Sequence, residues 1–209
     1  MGRRKKFENS YEIIVETADK LFSQYGVVRT TMEDIAKAAG IGKATIYSEF
    51  ASKEHLLVSV VLRFMEGVHH QMRLIAQKAD LQQGRTLEIL REMLLVQVFS
   101  FYEKANSHFH AQDMLPMPTA MGPNFKIHQK FLDYHQAEYK MIAELLEKAA
   151  EQGEIKPAED YLKLARTLRE GMTSFYPPVV LMNRPEKEEL EKNVHALLDL
   201  IFAGLKAKI

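Results

Sequence analysis

Lys43-Ala44-Thr45-Ile46-Tyr47-Ser48 gathers an ammonium, two aliphatic hydroxyls and a phenol into six residues, with one methyl and one larger apolar side chain between them. This order makes no nucleophile, metal cage or acid–base pair. Such groups can donate hydrogen bonds to phosphate oxygens and touch base edges. Thr31 upstream and Lys53 downstream add donors of the same kind.

The surrounding residues must hold that surface on short helices. Thr31 followed by Asp34 is a capping-box pair, so a helix begins near Met32, and Met32, Ile35, Ala36 and Ala39 give it one narrow apolar stripe. Gly40 suits the left-handed residue that closes a helix, with Ile41 turning inward behind it. The next helix runs from about Lys43 to Phe50 and buries Ile46 and Phe50, leaving the polar residues outside. Upstream, Ile14, Ala18, Leu21, Phe22 and Tyr25 form the buried face of a roofing helix that Gly26 ends. Two short helices joined by a glycine turn under a third form a helix-turn-helix, and the outward small or polar residues suit a major groove.

Ile14 through Leu57 resembles the DNA-binding domain of the TetR family of transcriptional regulators. The resemblance is carried by Ala18, Leu21-Phe22, Gly26, Thr30-Thr31-Met32, Asp34-Ile35-Ala36, Ala39-Gly40, Lys43, Thr45-Ile46-Tyr47, Phe50 and Ser52-Lys53-Glu54. It implies that Thr31, Tyr47 and Lys53 hold phosphates while Lys43, Ala44, Thr45 and Ser48 meet the groove. It further implies an all-helical effector-binding and dimerisation domain. Gly42 stands where the family usually has Ser, and Ala44 where it usually has Gly. Glycine is a tolerable N-cap, and an alanine methyl can touch a thymine methyl.

The formal net charge is zero, from 28 basic and 28 acidic residues, so attraction to DNA must be local. Arg3, Arg4, Lys5 and Lys6 form a basic arm that can enter a neighbouring minor groove or serve as a solvated tail. The chain has no cysteine, so disulfide and thiolate chemistry are excluded. Neither a leader-like apolar run nor an eighteen-residue apolar stretch appears, and a soluble, cytoplasmic protein without membrane contact is expected.

Helical periodicity continues through the remainder, giving an all-α chain with a three-helix DNA-binding head at 1–51 and a helical body at 52–209. Ser52 caps a long helix with Leu57, Val60, Val61, Phe64, Val68, Met72 and Ile75 in one stripe to about Lys78. A helix from Arg85 to Lys104 is apolar nearly all round at Met93–Phe99. A short helix at 107–112 and a proline-rich loop at 113–124 precede a helix from Phe125 to Gln152. Pro157 is expected to open the next helix and Pro177-Pro178 to stop it. The last spans Pro185 to Lys208, and the resemblance implies that the final two helices pair with their symmetry mates.

One helix-turn-helix contacts few base pairs, so a homodimer on a palindromic double-stranded operator is expected. The body's expected task is to bind a small apolar effector and reset the spacing of the heads, releasing a repressor from DNA. Candidate pocket residues are Met93, Val96, Gln97, Phe99, Phe131, Tyr134, His135 and Phe175, all of which also suit an ordinary core. Gln97 stands out because an amide within Leu-Leu-Val-Gln-Val-Phe needs a partner or a ligand. No cofactor is indicated. The pairs His69-His70, His108 with His110, and His128 with His135 form no specific metal-ligand signature, the i+7 pair His128 and His135 being only loosely compatible with one. Glu138 and Glu144 lie six residues apart on different helix faces, so no enzyme is expected and solvated charge accounts for both. The alternatives are a helix-turn-helix used for protein interaction and a regulator without a ligand.

Overall fold

The computed structural model describes residues 10–106, 125–176 and 185–206. The Arg3–Lys6 arm, the expected helix at 107–112, the 113–124 loop and Pro177-Pro178 lie outside them. The helices are α1 (Ser10–Tyr25), α2 (Met32–Ala38), α3 (Lys43–Glu49), α4 (Lys53–Ala76), α5 (Thr86–Asn106), α6 (Phe125–Glu151), α7 (Tyr161–Gly171) and α8 (Lys187–Leu205). Single 3-10 turns occupy Gln77–Asp80 and Thr173–Phe175. The described residues contain no strand, only an isolated bridge between Ile155 and Lys206. They fall into two compact units, one within 1–65 and 104–131, the other within 66–103 and 132–209. The first unit therefore takes in the N-terminal part of α4 as well as the three-helix head.

In the first unit α1, α2 and α3 pack against one another. Ile14, Ala18, Phe22, Ile35 and Ile46 are fully buried, as the apolar spacing requires. Tyr11 stacks on Phe50 at 5.1 Å between ring centroids, and the Ser10 hydroxyl donates to Glu49 across 3.0 Å. Tyr25 departs from the expected buried stripe and is 53% exposed. It sits at the last turn of α1 and lines an open groove of about 520 Å³ with Leu21, Arg29, Thr30, Asp34, Lys37 and Ala38.

Local chemistry closes each turn of the head. The Thr31 hydroxyl accepts from the Asp34 N–H at 3.1 Å, and the Asp34 carboxylate accepts from the Thr31 N–H at 3.1 Å, so the capping box is complete. Gly40 has φ +67°, the Ile41 N–H donates to the Ala36 carbonyl at 3.0 Å, and the Gly40 N–H to the Lys37 carbonyl at 3.2 Å. That is a Schellman closure, available without strain because residue 40 lacks a Cβ. Gly42 caps α3 through its carbonyl alone, with no side-chain hydrogen bond.

The second unit is built from the remainder of α4, most of α5 and α6, and α7 and α8. The turn after α6 caps α5: Glu154 accepts from the Thr86 N–H at 2.7 Å and the Leu87 N–H at 3.1 Å, filling donors that a helix start leaves open. Two expected boundaries need correction. α7 does not open at Pro157; it begins at Tyr161, because the Asp160 carboxylate caps the Lys163 N–H at 2.8 Å. Nor does it run to the proline pair, since it ends at Gly171 and tightens into the 3-10 turn. Along α8, Leu190, Val194, Leu198 and Phe202 are buried, while Leu200 is 72% exposed.

The caps give a stability prediction. Thr31→Ala should lower the stability of the head by about 1 kcal/mol. Gly42→Ser should raise it by a few tenths, because an added Cβ would meet only the Thr45 hydroxyl, at 3.9 Å. Urea titrations followed by circular dichroism would check both; an unmoved midpoint in Thr31→Ala would refute the energetic role of the box.

Candidate functional site

α3 presents Lys43, Ala44, Tyr47 and Ser48 to solvent, with Thr45 half-buried. Lys43 forms an ion pair of 2.5 Å with Glu33 and lies 5.9 Å above the Tyr47 ring. Both partners are exposed, so the pair is weakly held and the ammonium can exchange onto a phosphate. The Ser48 hydroxyl donates to the Thr45 carbonyl at 2.8 Å, leaving its lone pairs as acceptors. The Thr31 hydroxyl donates to Asp34 at 2.6 Å within the capping box, so its proton is engaged.

Lys53 plays a different part from Lys43. Its ammonium donates to the carbonyls of Val27 at 2.7 Å, Thr30 at 3.0 Å and Val28 at 3.4 Å. An ammonium has three protons, and the loop before α2 takes them. Lys53 thus ties the start of α4 to the segment that positions Thr31.

The second unit contains a buried polar cluster at Gln97, whose amide Nε2 donates to Glu138 Oε1 at 2.7 Å and whose carbonyl accepts from the Tyr176 hydroxyl at 2.6 Å. Arg169 Nε donates to the same Glu138 oxygen at 2.5 Å, and its guanidinium lies 4.0 Å from the Tyr176 ring centroid. His135 Nδ1 stands 3.6 Å from Glu138 Oε2, and the His69 and Tyr134 rings meet at 4.6 Å. Glu138 has no solvent exposure, which overturns its reading as a solvated charge. Burial pushes its pKa up, but His135, Arg169 and Gln97 outweigh that and hold the carboxyl below its ordinary value of 4.5. Burial and the Arg73 charge push His69 down, and burial pushes the Tyr134 and Tyr176 hydroxyls up.

Of the expected pocket residues, the structure brings Gln97, Tyr134 and His135 together. Met93 is fully buried, whereas Val96, Phe99 and Phe175 are half-buried. Lys187 lies 5.7 Å over the Phe99 ring, and Phe131 groups with the first unit. Sequence reasoning does not single out Arg169 or Tyr176, and it weighs His69 only as a metal-ligand candidate and Glu138 only as half of a carboxylate pair. A signal existed for Glu138, which falls in register with Phe131, Tyr134, Met141 and Leu145 at spacings of three and four. No group of three or more His, Asp or Glu residues among those described could hold a metal ion.

The capped α2, the left-handed turn at Gly40 and the polar face of α3 define a helix-turn-helix DNA-binding protein. The family model for bacterial regulatory proteins of the tetR family matches residues 14–60. The chain is 27% identical over 161 residues to the transcriptional repressor KstR2 of Mycobacterium tuberculosis, covering 75% of this chain and 74% of that one. It is 24% identical over 205 residues to the fatty acid metabolism regulator protein of Bacillus subtilis, covering 98% and 100% respectively. A transcriptional regulator from Cytophaga hutchinsonii shares the fold, with TM-score 0.75, 21% identity, and 95% of this chain and 100% of that chain covered. Residues 14–60 therefore carry the DNA-binding domain of tetR-family regulatory proteins, and the chain as a whole is similar to regulators of that kind.

Removing Arg169 tests the buried pair. Glu138 has a lowered pKa in the folded chain, so its stabilisation is present above pH 4.5 and lost as pH falls through the lowered value. Arg169→Met should cost about 3–5 kcal/mol at neutral pH by leaving a buried carboxylate uncompensated. Without Arg169 that carboxyl protonates more readily, so the deficit should shrink in mildly acidic buffer. Denaturant titrations at several pH values would detect this, and a pH-independent deficit would contradict it.

Proposed function

We propose that this chain is a homodimeric, cytoplasmic repressor that occupies a palindromic operator and leaves it when a small, largely apolar molecule binds beside Gln97, Tyr134 and Glu138. It performs no catalysis. The observation that carries the DNA reading is the exposed face of α3, where Tyr47, and Lys43 on exchange from Glu33, can meet phosphates while Ala44, Thr45 and Ser48 approach the bases. The repressor assignment draws support from the similarity to KstR2, which carries that description. Exposed Leu162 on α7 and Leu200 on α8 support pairing of the last two helices with a second copy. α4 runs from Lys53, bonded to the loop before α2, to His69 in the polar cluster and beyond, so it is the element through which a ligand would bias head spacing.

Selection from random DNA should enrich a palindrome; no enrichment would favour a protein-interaction role for the helix-turn-helix. On the selected site, Lys43→Ala should reduce the salt dependence of binding by about one phosphate contact. Tyr47→Phe should weaken binding with that slope unchanged. Lys53→Ala should instead lower thermal stability, because it strips donors from three carbonyls. A salt slope that falls equally in Lys43→Ala and Lys53→Ala would undo this division.

Leu200→Glu should convert the dimer into a monomer in sedimentation at micromolar concentration and abolish tight operator binding. Retention of both would place the interface elsewhere.

A further inference from the structure

Three polar atoms in the second unit are buried without a hydrogen-bond partner among the described residues: His69 Nε2, the Tyr134 hydroxyl and Glu138 Oε2. Their residues are 6%, 7% and 0% exposed, and a polar group buried without a partner destabilises the fold. They sit close together. Tyr134 and Glu138 share one face of α6 at i and i+4, and the His69 ring packs against Tyr134 from α4. His135 Nδ1 faces Glu138 Oε2, but at 3.6 Å it is beyond hydrogen-bond reach.

Resting on the effector-site reading above, we infer that the effector is a neutral molecule whose hydroxyl docks between Glu138 Oε2, the Tyr134 hydroxyl and His69 Nε2, with an apolar body alongside. The donor inventory requires it. Ionised Glu138 only accepts, so the ligand must bring a proton donor; Tyr134 and neutral His69 can each then donate to the ligand or accept from it. Charge balance rejects the alternatives. Arg169 already neutralises Glu138 at 2.5 Å, so a ligand ammonium would add an uncompensated cation beside that guanidinium, and a ligand carboxylate would face Glu138 itself. One hydroxyl supplies both a donor and an acceptor at no cost in charge. The aromatic neighbours, Tyr134 against His69 and Phe101 edge-on to Tyr176 at 5.8 Å, suit a ring or a flexible chain as the body.

The test uses the intact full-length protein without DNA, in calorimetric titrations with matched probes. One set is 2-naphthylmethanol, 2-methylnaphthalene, 2-naphthylmethylammonium and 2-naphthoate; the other is 1-decanol, decane, decylammonium and decanoate. On at least one body the alcohol should bind about tenfold more tightly than each companion. Tyr134→Phe should bring the alcohol down to the hydrocarbon's affinity while leaving the melting temperature equal or higher, since it deletes an unpaired hydroxyl. Equal binding of alcohol and hydrocarbon, preference for a charged head, or binding of no probe overturns the inference. So does an alcohol preference that survives Tyr134→Phe, which would assign the three atoms to structural water. Release from the selected operator, read separately by fluorescence anisotropy, distinguishes the two readings. Alcohol-selective binding without release refutes control by ligand and leaves the hydroxyl site standing; release without hydroxyl preference does the reverse.

Discussion

An ionised carboxylate with no access to water needs compensation from several directions, and Glu138 obtains it from three helices. Gln97 comes from α5, Arg169 from α7 and His135 from α6, the helix of Glu138 itself, while Tyr176 just beyond α7 closes the chain of hydrogen bonds. The desolvation cost of such a charge is several kcal/mol, and it is offset only when the partners hold their geometry. The relative placement of these helices in the second unit is therefore restricted to arrangements that bring one guanidinium and one amide onto one carboxylate oxygen. A purely apolar core would tolerate many more packings.

That arrangement satisfies one carboxylate oxygen twice and leaves the other without a hydrogen bond among the described residues, with His135 Nδ1 3.6 Å away. The asymmetry separates this cluster from a structural ion pair. A core selected for stability alone would fill or delete the Tyr134 hydroxyl and the second Glu138 oxygen, because each unpaired group destabilises the fold. Sites that retain such groups commonly use them, and α4 carries one of them on the helix whose start holds the DNA-reading segment.

The head obeys a more local logic. Its helices are too short to be stable alone, so their ends are closed by the capping box at Thr31, the Schellman turn at Gly40 and the bonds from Lys53 to the preceding loop. The first two devices act within a few residues and were legible from residue order. The Lys53 bonds reach back more than twenty residues, and a lysine at that spacing reads equally well as a phosphate ligand. Its carbonyl partners appear only when the chain has folded.

Boundaries divide along the same line. Gly26, Gly40 and Gly153 end helices where the sequence places them, because a left-handed residue is a local requirement. The start of α7 was misplaced at Pro157, since proline only permits a helix start whereas the Asp160 carboxylate supplies the missing acceptor. Sequence by itself determined the all-α class, the helix-turn-helix and the polar face of α3, all of which follow from periodicity and caps spanning one or two turns. Only the tertiary structure decided that Glu138 is buried, that Arg169 and Gln97 neutralise it, and that Lys53 is spent on carbonyls. Those outcomes depend on which side chains are brought together from distant positions, and the burial of a charge is set by partners that periodicity cannot name.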